Sequence, residues 1–247
     1  MSNKTPIAII GGSGFSSLPE LMRIKTEQVM TEFGAPSAPL LFAELQGQPL
    51  VFLARHGDPH IIPPHRVNYR ANLRALQQVG VKQVIALAAV GGIAQACPPG
   101  RLVVPDQIID YTYGREQTYF AENLAQVTHI DFTYPYTEGL RQALLQAAGQ
   151  ANIVVTAQGT YAATQGPRLE TAAEIRKLEH EGCTIVGMTG MPEAALAREL
   201  GLGYACLAVV ANWAAGKSDR LITLPDIEKT LQGAHQSVNQ LLLELFS

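Results

Sequence analysis

Charged residues are scarce in this chain of 247 residues. Lysine and arginine total 18, aspartate and glutamate total 21, and charged residues make up only 16% of the chain, against roughly 25% in typical soluble domains. The net charge of −3 argues against a protein that binds nucleic-acid phosphates. A hydrophobic fraction of 47% excludes a disordered chain. The protein is therefore either rich in core residues or has much of its surface covered.

Cysteines and long hydrophobic runs are also few. Cys97, Cys183 and Cys206 form no CxxC pair and no disulfide framework, which predicts a reducing cytoplasm. We expect no signal peptide, because the first apolar run, residues 7–10, is too short for one. The longest uncharged stretch, residues 83–100, contains glycines and prolines. It predicts a buried strand and a turn, not a membrane span.

Apolar runs alternate with helical patterns along the chain. Strands that are apolar on both faces and alternate with helices are typical of a parallel sheet covered on both sides. The expected strands are residues 7–10, 50–54, 84–90, 102–104, 153–155, 185–188 and 205–210. The expected helices are residues 68–79, 137–148, 168–180, 192–200 and 225–246, three of them followed by a glycine suited to a left-handed C-cap (Gly80, Gly182, Gly201). We predict one α/β domain over residues 1–247, with a mixed, mostly parallel central sheet flanked by helices.

Four expected strands end in polar or glycine-rich segments, and ligands of open α/β sheets bind at such ends. In the first, residues 11–14, main-chain N–H groups can approach an anion and Ser13 adds a hydroxyl donor. The segment lacks the third glycine of GxGxxG, the GK[ST] of a Walker loop and the last glycine of GxSxG. It is either an anion site or an ordinary strand-to-helix turn.

Arg55 and His56 follow the second expected strand. A planar guanidinium suits phosphate, and the adjacent histidine can add a donor. A metal site is the alternative, since His60 and His65 lie nearby in sequence. The intervening prolines prevent a helix from placing these histidines on one face, and no cysteine or carboxylate cluster accompanies them. A purely structural arginine is the other alternative, and we expect no metal.

The third segment is a turn entering a helix and carries Glu170, and the fourth combines the ends of two strands, which carry Thr189 and Asn212. Glu170 is explained equally by the dipole of a helix that begins there. Thr189 either caps a helix or binds an anion at its N-terminus. Asn212 needs a hydrogen-bonding partner at the end of a buried strand, whereas Met188 and Trp213 fit a core equally well. Together the four segments predict a cluster of phosphate-binding residues beside an amide and a carboxylate. Such a site would suit a phosphate bound next to a flat heterocycle.

Motifs along nearly the whole chain are specific enough to identify a family. With IIGGSG, ARHG followed by VNYRANL, GPRLETAAEI and MTGMPEA, the chain resembles the trimeric purine nucleoside phosphorylase and methylthioadenosine phosphorylase family. The resemblance implies a nucleoside phosphorylase-like fold and a pentosyltransferase that reversibly cleaves a purine nucleoside. Inorganic phosphate is then the co-substrate. No cofactor is implied, and the assembly is a homotrimer or a dimer of trimers.

The resemblance also implies roles for individual residues. Phosphate binding falls to Ser13, Arg55, His56, Thr189 and the main chain at Ala88 and Ala89. At Ala88, relatives often carry Thr or Asn, so a side-chain contact is lost there. Met188 matches the residue that packs on the sugar, and His129 matches a histidine that relatives lend across the subunit interface. Asn212 and Glu170 would act on the base together with Trp213 and Ala214, and His56 would join them in catalysis.

The base and the sugar follow from further differences within that family. Adenine-specific relatives have two Asp at the positions of Asn212 and Ala214 and a small hydroxyl residue at that of Glu170. The three departures favour a 6-oxopurine, whose N1–H donates to Glu170 while Asn212 donates to N7 or O6. Relatives that take ordinary nucleosides carry a histidine after the Asn strand, but residues 213–233 contain none.

Leu224 matches the apolar position that accommodates a 5′-methylthio group in the family. The alternative is that Leu224 only packs the last helix against the rest of the protein. Methylthioinosine, cleaved to hypoxanthine and 5-methylthioribose 1-phosphate, is therefore the predicted substrate. A general 6-oxopurine nucleoside phosphorylase acting on inosine and guanosine is the alternative. A non-catalytic purine-binding module and a hydrolase of the same fold represent other classes.

Overall fold

The computed structural model describes residues 4–15, 21–122 and 124–247. Its strands are β1 (Ile7–Gly11), β2 (Met22–Glu27), β3 (Leu40–Leu45), β4 (Gln48–Ala54), β5 (Gln83–Gly92), β6 (Leu102–Val103), β7 (Gln107–Asp110), β8 (Val155–Thr156), β9 (Thr160–Ala163), β10 (Ile185–Gly187) and β11 (Gly203–Trp213). Its α-helices are α1 (Tyr69–Gln78), α2 (Glu138–Gln150), α3 (Ala172–His180), α4 (Gly190–Glu199) and α5 (Leu224–Leu245).

The strands form one mixed, mostly parallel sheet in the order β2-β3-β4-β1-β5-β10-β9-β7, with β11 also paired to β5 and leading to β6 and β8. The central pairs β4–β1, β1–β5 and β5–β11 are parallel, whereas β2–β3, β3–β4, β5–β10 and β6–β11 are antiparallel. The predicted fold class is confirmed. The central strands β5 and β11 are buried over most of their length, which accounts for part of the scarcity of charge.

Local sequence explains where the helices begin and end. The Asn68 side chain caps α1, Thr171 and Glu174 form a capping box at α3, and Thr223 caps α5. Gly80, Gly182 and Gly201 have φ values of 88°, 85° and 68°, so the three predicted left-handed glycines are confirmed. Helix α3 begins at Ala172 and not at residue 168 as predicted, because the cap is Thr171.

Strands β2, β3, β7 and β9 were not predicted. All six residues of β2 are exposed, and β7 and β9 have four residues each, so none of these three has the long apolar run of a buried strand. Strands β3 and β4 form a hairpin through Gln46 and Gly47, whose φ values are both positive, 52° and 72°. Such turns favour Asn-Gly, and Gln-Gly gave no clear signal.

The described part of the chain contains neither a membrane-spanning helix nor a disulfide. No helix there is long and apolar enough to span a bilayer. Cys97, Cys183 and Cys206 are buried and form no disulfide.

Candidate active site

A cavity of about 870 Å³ lies where β1, β4 and β10 end and β5 and β11 pass, with α5 along its other side. The four polar segments singled out from the sequence all contribute to its wall. The predicted residues that line it are Ser13, Arg55, His56, Ala89, Glu170, Met188, Thr189, Asn212, Ala214 and Leu224. Residues separated by up to 211 positions are thus brought to one place by the crossovers of a parallel sheet.

Arg55 is 1% exposed and forms an ion pair with Glu193, which is completely buried. Its Nε donates to Glu193 Oε2 at 2.7 Å, its Nη2 to Oε1 at 2.9 Å, and its Nη1 to the Leu87 carbonyl at 3.0 Å. The Tyr204 hydroxyl also donates to Glu193, at 2.8 Å. Burial opposes the charge of Arg55, but Glu193 outweighs burial and the pKa of Arg55 lies above its ordinary value.

The pairing limits what Arg55 offers an anion. A guanidinium has five N–H groups, and three are used, so one N–H on Nη1 and one on Nη2 remain. Gly12 keeps the approach to Nη1 open, since a Cβ there would lie 3.0 Å from Nη1. The sequence predicted that a pair of guanidinium N–H groups would be directed at phosphate. In the structure, Nε and Nη2 donate such a pair to Glu193, so only the remaining N–H groups can face a ligand.

His56 has a fixed hydrogen bond on one ring nitrogen. Its Nδ1 lies 2.8 Å from the Ile62 carbonyl, which can only accept, so Nδ1 carries the proton. Burial and the neighbouring Arg55 lower the pKa of His56 to about 4, despite the opposing effect of that carbonyl. A neutral His56 therefore presents an unprotonated Nε2. Toward phosphate it would accept a hydrogen bond from a P–OH group, where the sequence suggested a donor.

The state of His56 predicts a dependence of stability on pH. Between pH 6.5, the ordinary pKa, and about 4, the unfolded chain binds a proton that the native histidine does not. The free energy of unfolding should therefore fall as the pH falls through this window. Burial also lowers the pKa of His60, which stacks on His56, and this adds to the slope. Denaturant titrations from pH 7 to 5 should show that the free energy of unfolding depends less steeply on pH in His56→Asn than in the unsubstituted protein. An equally steep dependence would contradict this prediction.

Glu170 and Asn212 line the same cavity as the predicted phosphate-binding residues. The Thr164 hydroxyl donates to Glu170 Oε1 at 2.6 Å, which orients the carboxylate. Asn212 Nδ2 donates to the Trp213 carbonyl at 2.7 Å, leaving its second N–H and its Oδ1 free of that bond. Both side chains line the cavity, so a carboxylate acceptor and an amide are available to one ligand.

A bulge in β11 helps to direct Asn212. Val210 pairs with Val90 and Asn212 with Gly91, so Ala211 is an extra residue with no partner in the register. Side chains alternate along a regular strand, and an extra residue interrupts that alternation. As a result, the consecutive residues Ala211 and Asn212 both line the cavity.

Comparisons with known proteins place this geometry in a family. The sequence pattern of the phosphorylase superfamily matches residues 6–247. The chain belongs to the phosphorylase superfamily. It is similar to a protein of Pseudomonas syringae pv. tomato named probable S-methyl-5′-thioinosine phosphorylase, with 51% identity over 98% of this chain and 99% of that one.

Two other similar proteins have different names. One from Thermococcus kodakarensis is named probable 6-oxopurine nucleoside phosphorylase and is 42% identical over 96% of this chain and 90% of its own. The structure of methylthioadenosine phosphorylase from Schistosoma mansoni in complex with adenine superposes with a TM-score of 0.95 and 35% identity, covering 98% of this chain and 91% of that one. The nucleoside phosphorylase fold expected from the motifs is thereby confirmed.

Three predicted site residues of this phosphorylase do not line the cavity. Ala88 lies within β5, and its side chain is buried in the core. Trp213 lines a neighbouring cavity of about 780 Å³ that shares Asn212 with the first. His129 is exposed, on the segment between β7 and α2.

Several residues that support or line the cavity were missed from the sequence. Glu193 and Tyr204 act through Arg55 and are hidden in apolar surroundings. Helix α5 contributes a stripe at helical spacing: Leu224, Ile227, Glu228, Leu231, Gln232 and His235. That 3–4 residue periodicity starting from Leu224 was a usable signal. His235 lies two positions beyond residues 213–233, which contain no histidine, and its ring stacks on Phe15 with centroids 4.6 Å apart.

Proposed function

We propose that this phosphorylase catalyses the reversible phosphorolysis of S-methyl-5′-thioinosine to hypoxanthine and 5-methylthioribose 1-phosphate. The observation that carries the proposal is a single cavity lined both by phosphate-binding residue types and by an oriented carboxylate, Glu170. The name of the Pseudomonas syringae relative, at 51% identity, supports the same substrate. One phosphorylase domain would span residues 1–247.

The phosphate end supplies the nucleophile. Ser13, Thr189 and the free N–H groups of Arg55 would hold inorganic phosphate, with the main chain at Ala89 beside it and His56 accepting from its P–OH. Holding the nucleophile in line with the anomeric carbon contributes up to about 7–11 kcal/mol in well-oriented reactions. A phosphate oxygen forms the new bond to that carbon, and the electrons of the breaking C–N bond move to the purine. This scheme uses no cofactor and no metal.

The base end would stabilise the departing purine. Glu170 accepts from N1–H of a 6-oxopurine, and the free N–H of Asn212 donates to N7 or O6, where negative charge grows. Removing one well-placed donor to such charge costs about 2.7–4 kcal/mol in other enzymes. A 6-aminopurine offers N1 as an acceptor, which would leave Glu170 facing a lone pair.

The sugar end contains both apolar and polar groups. Leu224, Ile227 and Leu231 on α5 suit a methylthio group, and Met188 would pack on the ribose. Glu228, Gln232 and His235 line the cavity from the same helix. These polar groups favour the second candidate function, phosphorolysis of inosine or guanosine, which the name of the Thermococcus kodakarensis relative also suggests.

A substrate panel with and without phosphate tests this function. We expect hypoxanthine release from methylthioinosine only with phosphate, and roughly 10⁴-fold lower kcat/KM for methylthioadenosine, because a site that hydrogen-bonds a polar edge rejects the reversed edge. Inosine, guanosine and adenosine complete the panel. Release without phosphate would indicate a hydrolase, and binding without turnover would indicate a purine-binding module.

We also propose a cytoplasmic homotrimer, alone or as a dimer of trimers, that binds neither nucleic acid nor membrane. The segment between β7 and α2 exposes Tyr113, Val127 and Tyr134 by about 70% each. Such exposed apolar side chains are typical of surfaces that another chain covers. His129 belongs to this segment and would reach a neighbour's site. The three free cysteines fit a reducing compartment.

A further inference from the structure

Arg115 uses its whole guanidinium to hold two segments of the cavity wall. Its Nε donates to Gln165 Oε1 at 3.1 Å, and its Nη2 donates to the carbonyls of Thr164 at 3.2 Å and Gln165 at 2.8 Å. Its Nη1 donates to the carbonyls of Met188 at 2.8 Å and Met191 at 2.6 Å. All five N–H groups of the side chain are therefore paired.

The two segments carry different parts of the site. Residues 164–170 follow β9 and include Thr164, whose hydroxyl orients Glu170 at the base end. Residues 188–191 follow β10 and include Met188 at the sugar and Thr189 at the phosphate. Arg115 does not itself line the cavity. It therefore acts on both ends of the site without contact with either substrate.

The segments also meet closely beside Arg115. A Cβ at Gly166, whose φ is 62°, would lie 2.3 Å from Met188 Sδ and 3.2 Å from Pro64 Cγ. Position 166 therefore has no room for a side chain, because the two segments pack closely against each other there. The Tyr69 hydroxyl donates to the Pro64 carbonyl at 3.0 Å and lies 3.3 Å from Arg115 Nη1. It therefore connects Pro64 to the hydrogen bonds of Arg115.

We propose that Arg115 is a positioning residue that fixes the base-binding and phosphate-binding segments relative to each other. The proposal rests on the proposed function, since it concerns the distance between the two co-substrates. A misplacement of about 1 Å can cost on the order of 10²-fold in rate. Lysine cannot substitute, because it has three N–H groups on one atom and cannot reach four carbonyls on two segments.

The test compares Arg115→Ala with a matched arginine. Arg198 donates to the carbonyls of Asp131 and Tyr134, so it ties the same β7–α2 segment to α4 without contact with residues 164–170. We expect Arg115→Ala to raise the KM of both phosphate and nucleoside and to lower kcat/KM by about 10²-fold. Arg198→Ala should stay within a few-fold of the unchanged protein.

Rescue separates positioning from loss of structure. Guanidinium at low millimolar concentration should restore much of the activity of Arg115→Ala and none of any loss in Arg198→Ala. Arg115→Lys keeps the charge and should show the same paired rise in KM, which covers the case in which the alanine variant does not fold. Equal kinetic losses in Arg115→Ala and Arg198→Ala, or a rise in only one KM, would overturn the proposal. If the protein without substitutions showed no phosphate-dependent activity, the proposed function would be refuted instead.

Discussion

Replacing Arg55 with methionine should lower the free energy of unfolding by about 3–5 kcal/mol, because it leaves the Glu193 carboxylate buried without its partner. Glu193 is completely buried, and two of its three hydrogen bonds come from Arg55. Phosphate binding should weaken in the same variant, since the remaining N–H donors of Arg55 are lost. Chemical denaturation and phosphate titration measure the two effects separately.

A triple variant distinguishes the two roles of Arg55. Arg55→Met with Glu193→Leu and Tyr204→Phe removes the arginine, the carboxylate and the hydroxyl that donates to it at 2.8 Å. Replacing a buried ion pair by apolar groups of similar volume is often neutral or stabilising. Stability should therefore return in the triple variant, while phosphate affinity should not. Recovery of both would mean that Arg55 does not bind phosphate.

Glu170→Leu should weaken the preference for a 6-oxopurine without abolishing it. Hydrogen bonds to charged groups are worth about 1.5–3 kcal/mol, so kcat/KM for methylthioinosine should fall on the order of 10²-fold. Methylthioadenosine has no N1–H for Glu170 to accept, and its kcat/KM should not fall. The measurement is the ratio of the two kcat/KM values.

The control for Glu170→Leu is Thr164→Val, which removes the 2.6 Å hydrogen bond to Oε1 and leaves the carboxylate. We expect this variant to lose part of the same preference, because the carboxylate is less well oriented. If Glu170→Leu lowered kcat/KM equally for both substrates, Glu170 would support the wall of the cavity and would not distinguish the two bases.

The long buried elements were predictable because their patterns are local. Strands β5 and β11 and helices α1, α2 and α5 each carry an apolar run or a helical repeat. Strands β2 and β9 are different, since all six residues of β2 are exposed and β9 has only four residues, so neither carries a long apolar run. Four-residue segments gain little from intrinsic preference, and tertiary contacts decide them.

The site divides in the same way. Ser13, Arg55 and Asn212 stand at the ends of recognisable strands, so their meeting followed from the topology of a parallel sheet. Glu193 and Arg115 had no such signal. Each acts through hydrogen bonds to groups far away in the chain, 138 positions in the case of Arg55 and Glu193, and only three-dimensional coordinates reveal such partners.

The bulge at Ala211 has a consequence for how ligand preference changes in a fold of this kind. Under the proposed function, Asn212 would face the base because one residue without a partner interrupts the alternation of side chains along β11 and directs Asn212 into the cavity. Inserting or losing a single residue there would exchange the side chains that face the purine for those that face the core, with no change in residue types. Selectivity in this sheet is therefore partly a property of register, and length variation at one strand end can alter it as effectively as substitution.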